Sequence, residues 1–462
     1  MSIKRIASAG LALALLSSAA FAAPKGDAAS HDQALEVLKR GIAFRTVAGA
    51  GQTVAYADYL KSVLVAGGFK DAEVSIEPLG DTAFLIARYP GKDPSRKPIV
   101  VNGHMDVVEA RASDWTRDPF TPVIEDGRIY GRGSVDNKFD VSMIVTVLAK
   151  LRQEGWKPGR DIVLALSGDE ETNMKTTAVL AQRLRNAELV LNDDGGGGAV
   201  RDGVPVAYGI QSAEKTYADF TLAVSDPGGH SSRPTASNAI YRLAKALDRL
   251  EAYAFPVMSN QITRASLAAA AKNTPGPTGV AMKHFSGDPS DADAIATLAA
   301  NPDYNPGLRT TCVATMLSGG HAPNALPQHA AATVNCRIFP GTSSESVRAT
   351  LLDVVADPSV TVTRQDDGSI DSPASPMRAD VLAAVTRAVH AQYPGLPVTP
   401  FQESGATDSM YFRALGIPSY GVSGMMVDTG ATFIHGLNER APLAAIDGAL
   451  AHWESILRDL AK

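Results

Sequence analysis

Ile99-Val100-Val101-Asn102-Gly103-His104-Met105-Asp106 is a β-branched run that passes directly into a polar turn carrying a histidine and a carboxylate. Such a run, with no polar alternation, reads as a strand buried on both faces. The pattern recurs. Ile162-Val163-Leu164-Ala165-Leu166 leads into Ser167-Gly168-Asp169-Glu170-Glu171, and Leu189-Val190-Leu191 leads into Asn192-Asp193-Asp194-Gly195. Between the first two, Val141, Ile144, Val145, Leu148 and Leu151 mark one face of a helix closed near Gly155. Strands alternating with helices predict an α/β fold with a mostly parallel sheet covered on both faces. In such sheets the ligand sits beyond the carboxyl ends of the strands, so the polar residues there are where chemistry is expected.

Working outward, residues 31–66 read as helical, with Leu35, Leu38 and Ile42, then Tyr56, Leu60, Val63 and Leu64, stopped by Gly67-Gly68. The texture changes near Gln211. Tyr217 to Val224 alternates as a half-exposed strand does, and Ile240, Leu243, Leu247 and Leu250 follow in helical register. Cys312 to Leu317 and Ala332 to Ile338 read as antiparallel strands. Near residue 375 the first style resumes, with Val381, Val385 and Val389 and a final helix from Ala441. We therefore expect a catalytic domain in two parts, 23–211 and 371–462, with an α+β unit inserted at 212–370. The stretch 255–310 is rich in Ala, Pro, Asp and Gly and shows no clear period.

The composition fits a large folded enzyme or binding protein. Of 462 residues, 45% are hydrophobic, and 43 Lys and Arg oppose 49 Asp and Glu. That is too apolar and too weakly charged for a disordered chain. Two Cys cannot build a disulfide scaffold or a Cys-rich zinc framework. The mildly acidic balance excludes a general nucleic-acid binder, which needs a basic face. At the N-terminus, Lys4 and Arg5 precede the apolar run Ile6 to Leu16 and the A-x-A pattern Ala20-Phe21-Ala22. This predicts a signal peptide over 1–22 and a periplasmic or secreted protein with no membrane attachment after cleavage.

Five polar clusters fall at the predicted strand ends or helix starts: His104 with Asp106, Asp136 with Asn137, Glu170 with Glu171, Asp193 with Asp194, and His435. Each alone has a commonplace reading. A histidine after a strand is more often a loop residue, Asp136 would serve as an N-cap, and Glu170-Glu171 as a solvated pair. Together they form an oxygen-and-imidazole set without thiolate, suited to Zn²⁺, Mn²⁺ or Co²⁺. Five ligands sharing one carboxylate can hold two ions that activate water. Other chemistries fail on their motifs. Gly421-Val422-Ser423-Gly424 lacks the last Gly of a nucleophile elbow, no H-E-x-x-H is present, and Gly195 to Gly198 lacks the Lys of a phosphate loop.

The chain resembles the M20 family of metallopeptidases, which includes glutamate carboxypeptidases, aminoacylases and succinyl-diaminopimelate desuccinylases. The resemblance rests on Gly103-His104-Met105-Asp106, Gly131-Arg132-Gly133-Ser134-Val135-Asp136-Asn137-Lys138 and Gly168-Asp169-Glu170-Glu171. It continues through Gly229-His230-Ser231-Ser232, Ala322-Pro323-Asn324-Ala325, Ser404-Gly405-Ala406-Thr407-Asp408 and Ile434-His435-Gly436. The resemblance implies a di-zinc domain with an inserted ferredoxin-like lid and dimerisation domain. It implies that His104 and His435 each bind one zinc, that Asp136 bridges them, and that Glu171 completes the His435 side. Asp193 and Asp194 compete for the fourth carboxylate, and matching the preceding Asn selects Asp193. Glu170 is implied as general base and Asp106 as the residue that orients His104. His230, Asn324, Arg337 and Gly405 are implied to contact substrate, with Arg337 suited to a bidentate grip on a carboxylate and His230 often reaching the site of a partner subunit in a homodimer.

Where the family often has Asp-Asp joined by a cis peptide, this chain has Asp136-Asn137; the second residue binds no metal in that scheme. The implied activity is cleavage of an amide next to a free α-carboxylate in short peptides. N-acyl amino acids are the alternative substrate, and the residues do not separate the two. A non-catalytic peptide-binding relative would be expected to have lost a ligand or the base, and none is missing. Cys312 and Cys336 sit on neighbouring predicted strands, where a disulfide and two buried thiols fit equally.

Overall fold

The computed structural model describes residues 27–462, so the expected signal peptide lies outside the described residues. A ten-stranded sheet forms the larger unit. At its centre Ile162–Ser167, Ile99–His104, Leu189–Asn192 and Ser419–Gly421 run parallel. The hairpin Val74–Leu79 and Thr82–Tyr89 joins one side antiparallel. On the other side Val204–Glu214 pairs with Gly197–Arg201 and Val398–Glu403. Ile99–His104, Ile162–Ser167 and Leu189–Asn192 are buried along their whole lengths, as unbroken apolar runs between helical layers should be.

One face is covered by helices Ala28–Ala43, Thr53–Ala66, Lys138–Gln153, Ala379–Gln392 and Ile446–Leu460, whose apolar stripes merge into the main core around Leu60, Ile144 and Trp453. On the opposite face Phe84, Val100, Val163, Leu180 and Phe412 form a second core. In register, His104 lies opposite Ser167 and Asn102 opposite Asn192. The carboxyl ends of three strands are thereby level, and the residues that follow them emerge side by side.

Between Thr216 and Arg364 the chain builds a separate four-stranded antiparallel sheet, in the order Thr311–Gly319, His329–Ile338, Thr216–Ser225, Val360–Arg364. Helices Ala239–Glu251 and Ser344–Val355 pack on one face, Leu243 and Leu351 meeting Phe220, Leu222 and Val334 in one core. The stretch without a readable period holds helices Gln261–Ala270, Gly276–Gly287, Ala292–Ala299 and Asn305–Leu308. They are short; Gln261–Ala270 and Ala292–Ala299 are rich in alanine, and Gly276–Gly287 and Asn305–Leu308 carry the glycine and proline that read as loop. Side-chain caps at Asn260 and Asp291 start two of them, and Met282, Phe285 and Leu298 give them a small core of their own. Cys312 and Cys336, left open by sequence, face each other across two strands and form a disulfide.

Candidate metal centre

His104 is the last residue of its strand and is 1% exposed. Its Nε2 lies 3.0 Å from Asp136 Oδ1. The other oxygen of Asp136 lies 3.0 Å from Nε2 of His435, which is also 2.9 Å from Glu171 Oε1. One carboxylate therefore stands between two imidazoles. His104, Glu170 and Asp194 form an overlapping group, their nearest ligand atoms within 4.8 Å of one another.

Partners distant in the sequence hold these groups in place. Asp106 Oδ1 accepts the N–H of Glu170 and Oδ2 that of Glu171. Its carboxylate is 3.6 Å from His104 Nδ1, whereas its backbone carbonyl is 3.1 Å away. Asp106 thus steadies the histidine through its main chain, and its side chain is given to the two glutamates. The Asp136–Asn137 peptide is cis, and Asn137 Oδ1 accepts the His104 N–H. Asp408 collects Ser167 Oγ, Asn102 Nδ2 and Thr177 Oγ1, tying the ends of two strands to a helix.

Sequence reasoning missed Glu439. It pairs with Arg132 at 2.5 Å and accepts the N–H groups of Gly133, Val135 and Asp136, so the whole loop carrying Asp136 hangs on it. The only signal was Arg132 itself, a cation between two glycines. His435 sits at φ 58°, flanked by Phe433 at 57° and Asn438 at 58°. Left-handed backbone at three non-glycine residues is the kind of strain that collects at functional loops.

The structure brings Asp194, and not Asp193, to this group. Asp194 Oδ2 is 4.0 Å from His104 Nε2. Asp193 is 2% exposed, and neither of its carboxylate oxygens has a hydrogen-bond partner among the described residues. Consecutive residues of an extended chain point to opposite sides. Asp193 takes the side facing Gly103, where a Cβ would lie 2.3 Å from its Oδ1. The missing side chain of Gly103 is the space that Asp193 fills.

Four carboxylates, Asp136, Glu170, Glu171 and Asp194, meet only two imidazoles. Burial pushes Glu170 and Asp194 well above the usual carboxylate range, and neighbouring acids push further in the same direction. Burial likewise raises Glu171. Burial would raise Asp136 too, but the two imidazoles outweigh it and hold Asp136 low. Asp136 and Glu171 lift His435 to about 10. Such an excess of buried acid calls for cations, and oxygen and imidazole donors without thiolate suit divalent ions of the Zn²⁺, Mn²⁺ and Co²⁺ class.

A cavity of about 400 Å³ opens onto this centre, lined by Glu170, Asp194, Gly405, Ala406, Met425 and Ile434 among others. Gly405 is thus at the site. Arg337 is not itself a lining residue; it donates from Nη1 to the carbonyl of Ser404, which lies between the lining residues Glu403 and Gly405, and stacks over Tyr217 at 4.6 Å. His230 and Asn324 are not among the lining residues. They neighbour each other on the second unit, where Ser231 N–H bonds the Asn324 carbonyl and the His230 ring meets Ser232 Oγ. Both are exposed.

Residues 100–459 match Peptidase family M20/M25/M40. The chain is 30% identical over 372 residues to the N-fatty-acyl-amino acid synthase/hydrolase PM20D1 of Homo sapiens, covering 77% of this chain and 73% of that protein. It is 27% identical over 377 residues to the probable carboxypeptidase S-like 2 of Dictyostelium discoideum, covering 77% and 70%. In fold it is similar to an M20 family metallo-carboxypeptidase from Sulfolobus solfataricus, with a TM-score of 0.69 at 19% identity over 93% of this chain and 99% of that one. A dinuclear metal-binding M20 peptidase from Bacillus subtilis gives 0.58 at 12% identity, over 94% and 99%. With its sheet, its paired imidazoles and the extent of these matches, this chain belongs to peptidase family M20/M25/M40, hydrolases of amide and peptide bonds.

Proposed function

We propose that this protein is an exported di-zinc hydrolase that cleaves the amide bond next to a free α-carboxylate in short peptides. The observation that carries the reading is Asp136, whose two oxygens each lie 3.0 Å from a different imidazole. His104, Asp136 and Asp194 would hold one ion, and His435, Asp136 and Glu171 the other. Bound there, a pair of divalent cations supplies activation of water and polarisation of the scissile carbonyl. Glu170 takes the proton of the attacking water and delivers it to the leaving amine. Arg337, bonded to the Ser404 carbonyl between two lining residues of the cavity, grips the carboxylate of the substrate.

His230 and Asn324 complete the site from the partner in a homodimer joined through the inserted unit at 212–370. Its outer strand Thr311–Gly319 supports this, being an unpaired edge with Val313, Met316 and Leu317 at 60%, 69% and 72% exposed. N-acyl amino acids are the second reading, favoured by the likeness to the human N-fatty-acyl-amino acid synthase/hydrolase.

The test is hydrolysis of a panel of dipeptides and N-acyl amino acids by zinc-loaded protein, before and after exhaustive chelation. Activity that disappears with the chelator and returns with zinc supports the reading. Full activity in the chelated protein overturns it. Glu170→Gln should keep its metal and lose about 10²- to 10⁴-fold in kcat.

A further inference from the structure

We propose that Lys215 is a second cationic contact for the substrate's carboxylate, beside Arg337, and so helps to determine specificity; the proposal rests on the reading that the substrate carries a free carboxylate. Lys215 is the one residue between strands Val204–Glu214 and Thr216–Ser225, at the point where the chain crosses from the large sheet to the small one. It is 1% exposed. The only hydrogen bond of its ammonium among the described residues is a long one, 3.4 Å to Thr311 Oγ1. Thr311 lies opposite Arg337 in register, so the two cations share one corner of the small sheet.

Among the described residues no carboxylate pairs with either of them. Glu214 is given to Arg413 and Thr407. Glu403 Oε1 turns back to the N–H of Ser404, and Asp219 is held by Tyr217 and Asn335. Burial pushes the Lys215 ammonium down to about 7, and the next influence on it is repulsion from Arg337. An ammonium buried without a counter-charge is costly, and a fold that needed only an apolar stem here would have no use for it. The backbone already ties Lys215 in place, its N–H bonding the Glu403 carbonyl at 3.0 Å. That carbonyl begins the Glu403–Gly405 loop, which lines the metal-centre cavity. Two unanswered cations at the edge of this loop form a place for an anion from outside the chain, and the reaction supplies one in the carboxylate beside the scissile amide.

The experiment compares an N-acylphenylalanine with its C-terminal carboxamide on the zinc-loaded full chain, for wild type, Lys215→Met, Lys215→Arg and Arg337→Met. The proposal expects Lys215→Met to raise KM for the free acid about 10- to 100-fold with kcat little changed, the range expected for losing a charge-assisted hydrogen bond. The carboxamide should be unaffected, and Lys215→Arg should keep the preference for the acid. If Arg337→Met loses that preference and Lys215→Met retains it, Lys215 is excluded and the carboxylate reading stands. If wild type does not distinguish acid from carboxamide, the carboxylate reading itself falls and Lys215 with it. Equal losses on acid and carboxamide in Lys215→Met, with Lys215→Arg no better, assign Lys215 a structural role and overturn the proposal.

Discussion

The carboxylate of Asp106 accepts the backbone N–H of Glu170 at 3.1 Å, and its second oxygen accepts that of Glu171 at 3.0 Å. One short side chain thereby fixes the main chain of both glutamates. Because adjacent residues diverge, Glu171 turns to His435 while Glu170 stays with His104 and Asp194. Asp106→Asn can accept on only one side, and its amide nitrogen confronts an N–H. We expect kcat to fall roughly 10- to 100-fold, the scale on which partners of ligating groups act. Kinetics together with metal analysis check this; wild-type turnover in the variant would remove the positioning role.

The two aspartates after strand Leu189–Asn192 are separable by substitution. Asp194→Asn should reduce bound metal after dialysis, whereas Asp193→Asn should retain it, since Asp193 is not among the residues whose ligand atoms cluster with those of His104. Neutralising a buried, unpaired Asp193 should also leave thermal stability unchanged or raised. Metal lost from Asp193→Asn and kept by Asp194→Asn would restore Asp193 as the ligand.

Arg132 and Glu439 are 3% and 0% exposed at their side chains. Glu439→Ala leaves a buried guanidinium without a counter-charge and three N–H groups without an acceptor. The expected cost is about 3–5 kcal/mol, the range for breaking a buried pair. Denaturant unfolding of the variant measures it, and a loss below about 1 kcal/mol would show that water replaces the carboxylate.

His452 is buried beside Tyr208, its Nε2 3.0 Å from the phenol oxygen. Burial lowers it from 6.5 to about 3. The unfolded chain therefore binds a proton that the folded chain refuses between these values. Stability should fall as pH drops from about 6.5 towards 3, at up to about 1.4 kcal/mol per pH unit from this one group. His452→Phe should flatten that part of the profile in unfolding experiments from pH 7 to 4. An unchanged slope would mean that other groups dominate.

Much of this molecule was legible before its folding was known. Ile99–Val101 and Ile162–Leu166 are apolar without interruption, and such a run bounded by polar turn residues reads as a buried strand. The polar residues at their ends inherit a position from that local rule, which is why His104, Glu170 and Glu171 could be singled out. The helices within 255–310 were not legible, because they are short and either rich in alanine or interrupted by glycine and proline, which leaves little stripe to read.

By itself, the sequence determined the strand ends and the chemistry of the donors waiting there. Tertiary structure alone decided which of them meet. Asp194 reaches the group because the space left by Gly103 draws Asp193 to the other side of the chain, a fact about two neighbouring strands. Glu439 holds the Asp136 loop from 307 positions away along the chain, and Lys215 forms no ion pair among the described residues, Glu214 and Glu403 beside it being turned to other partners. Periodicity reports a residue's own environment. Pairing depends on which distant segments the packed core brings level, and no local pattern encodes that.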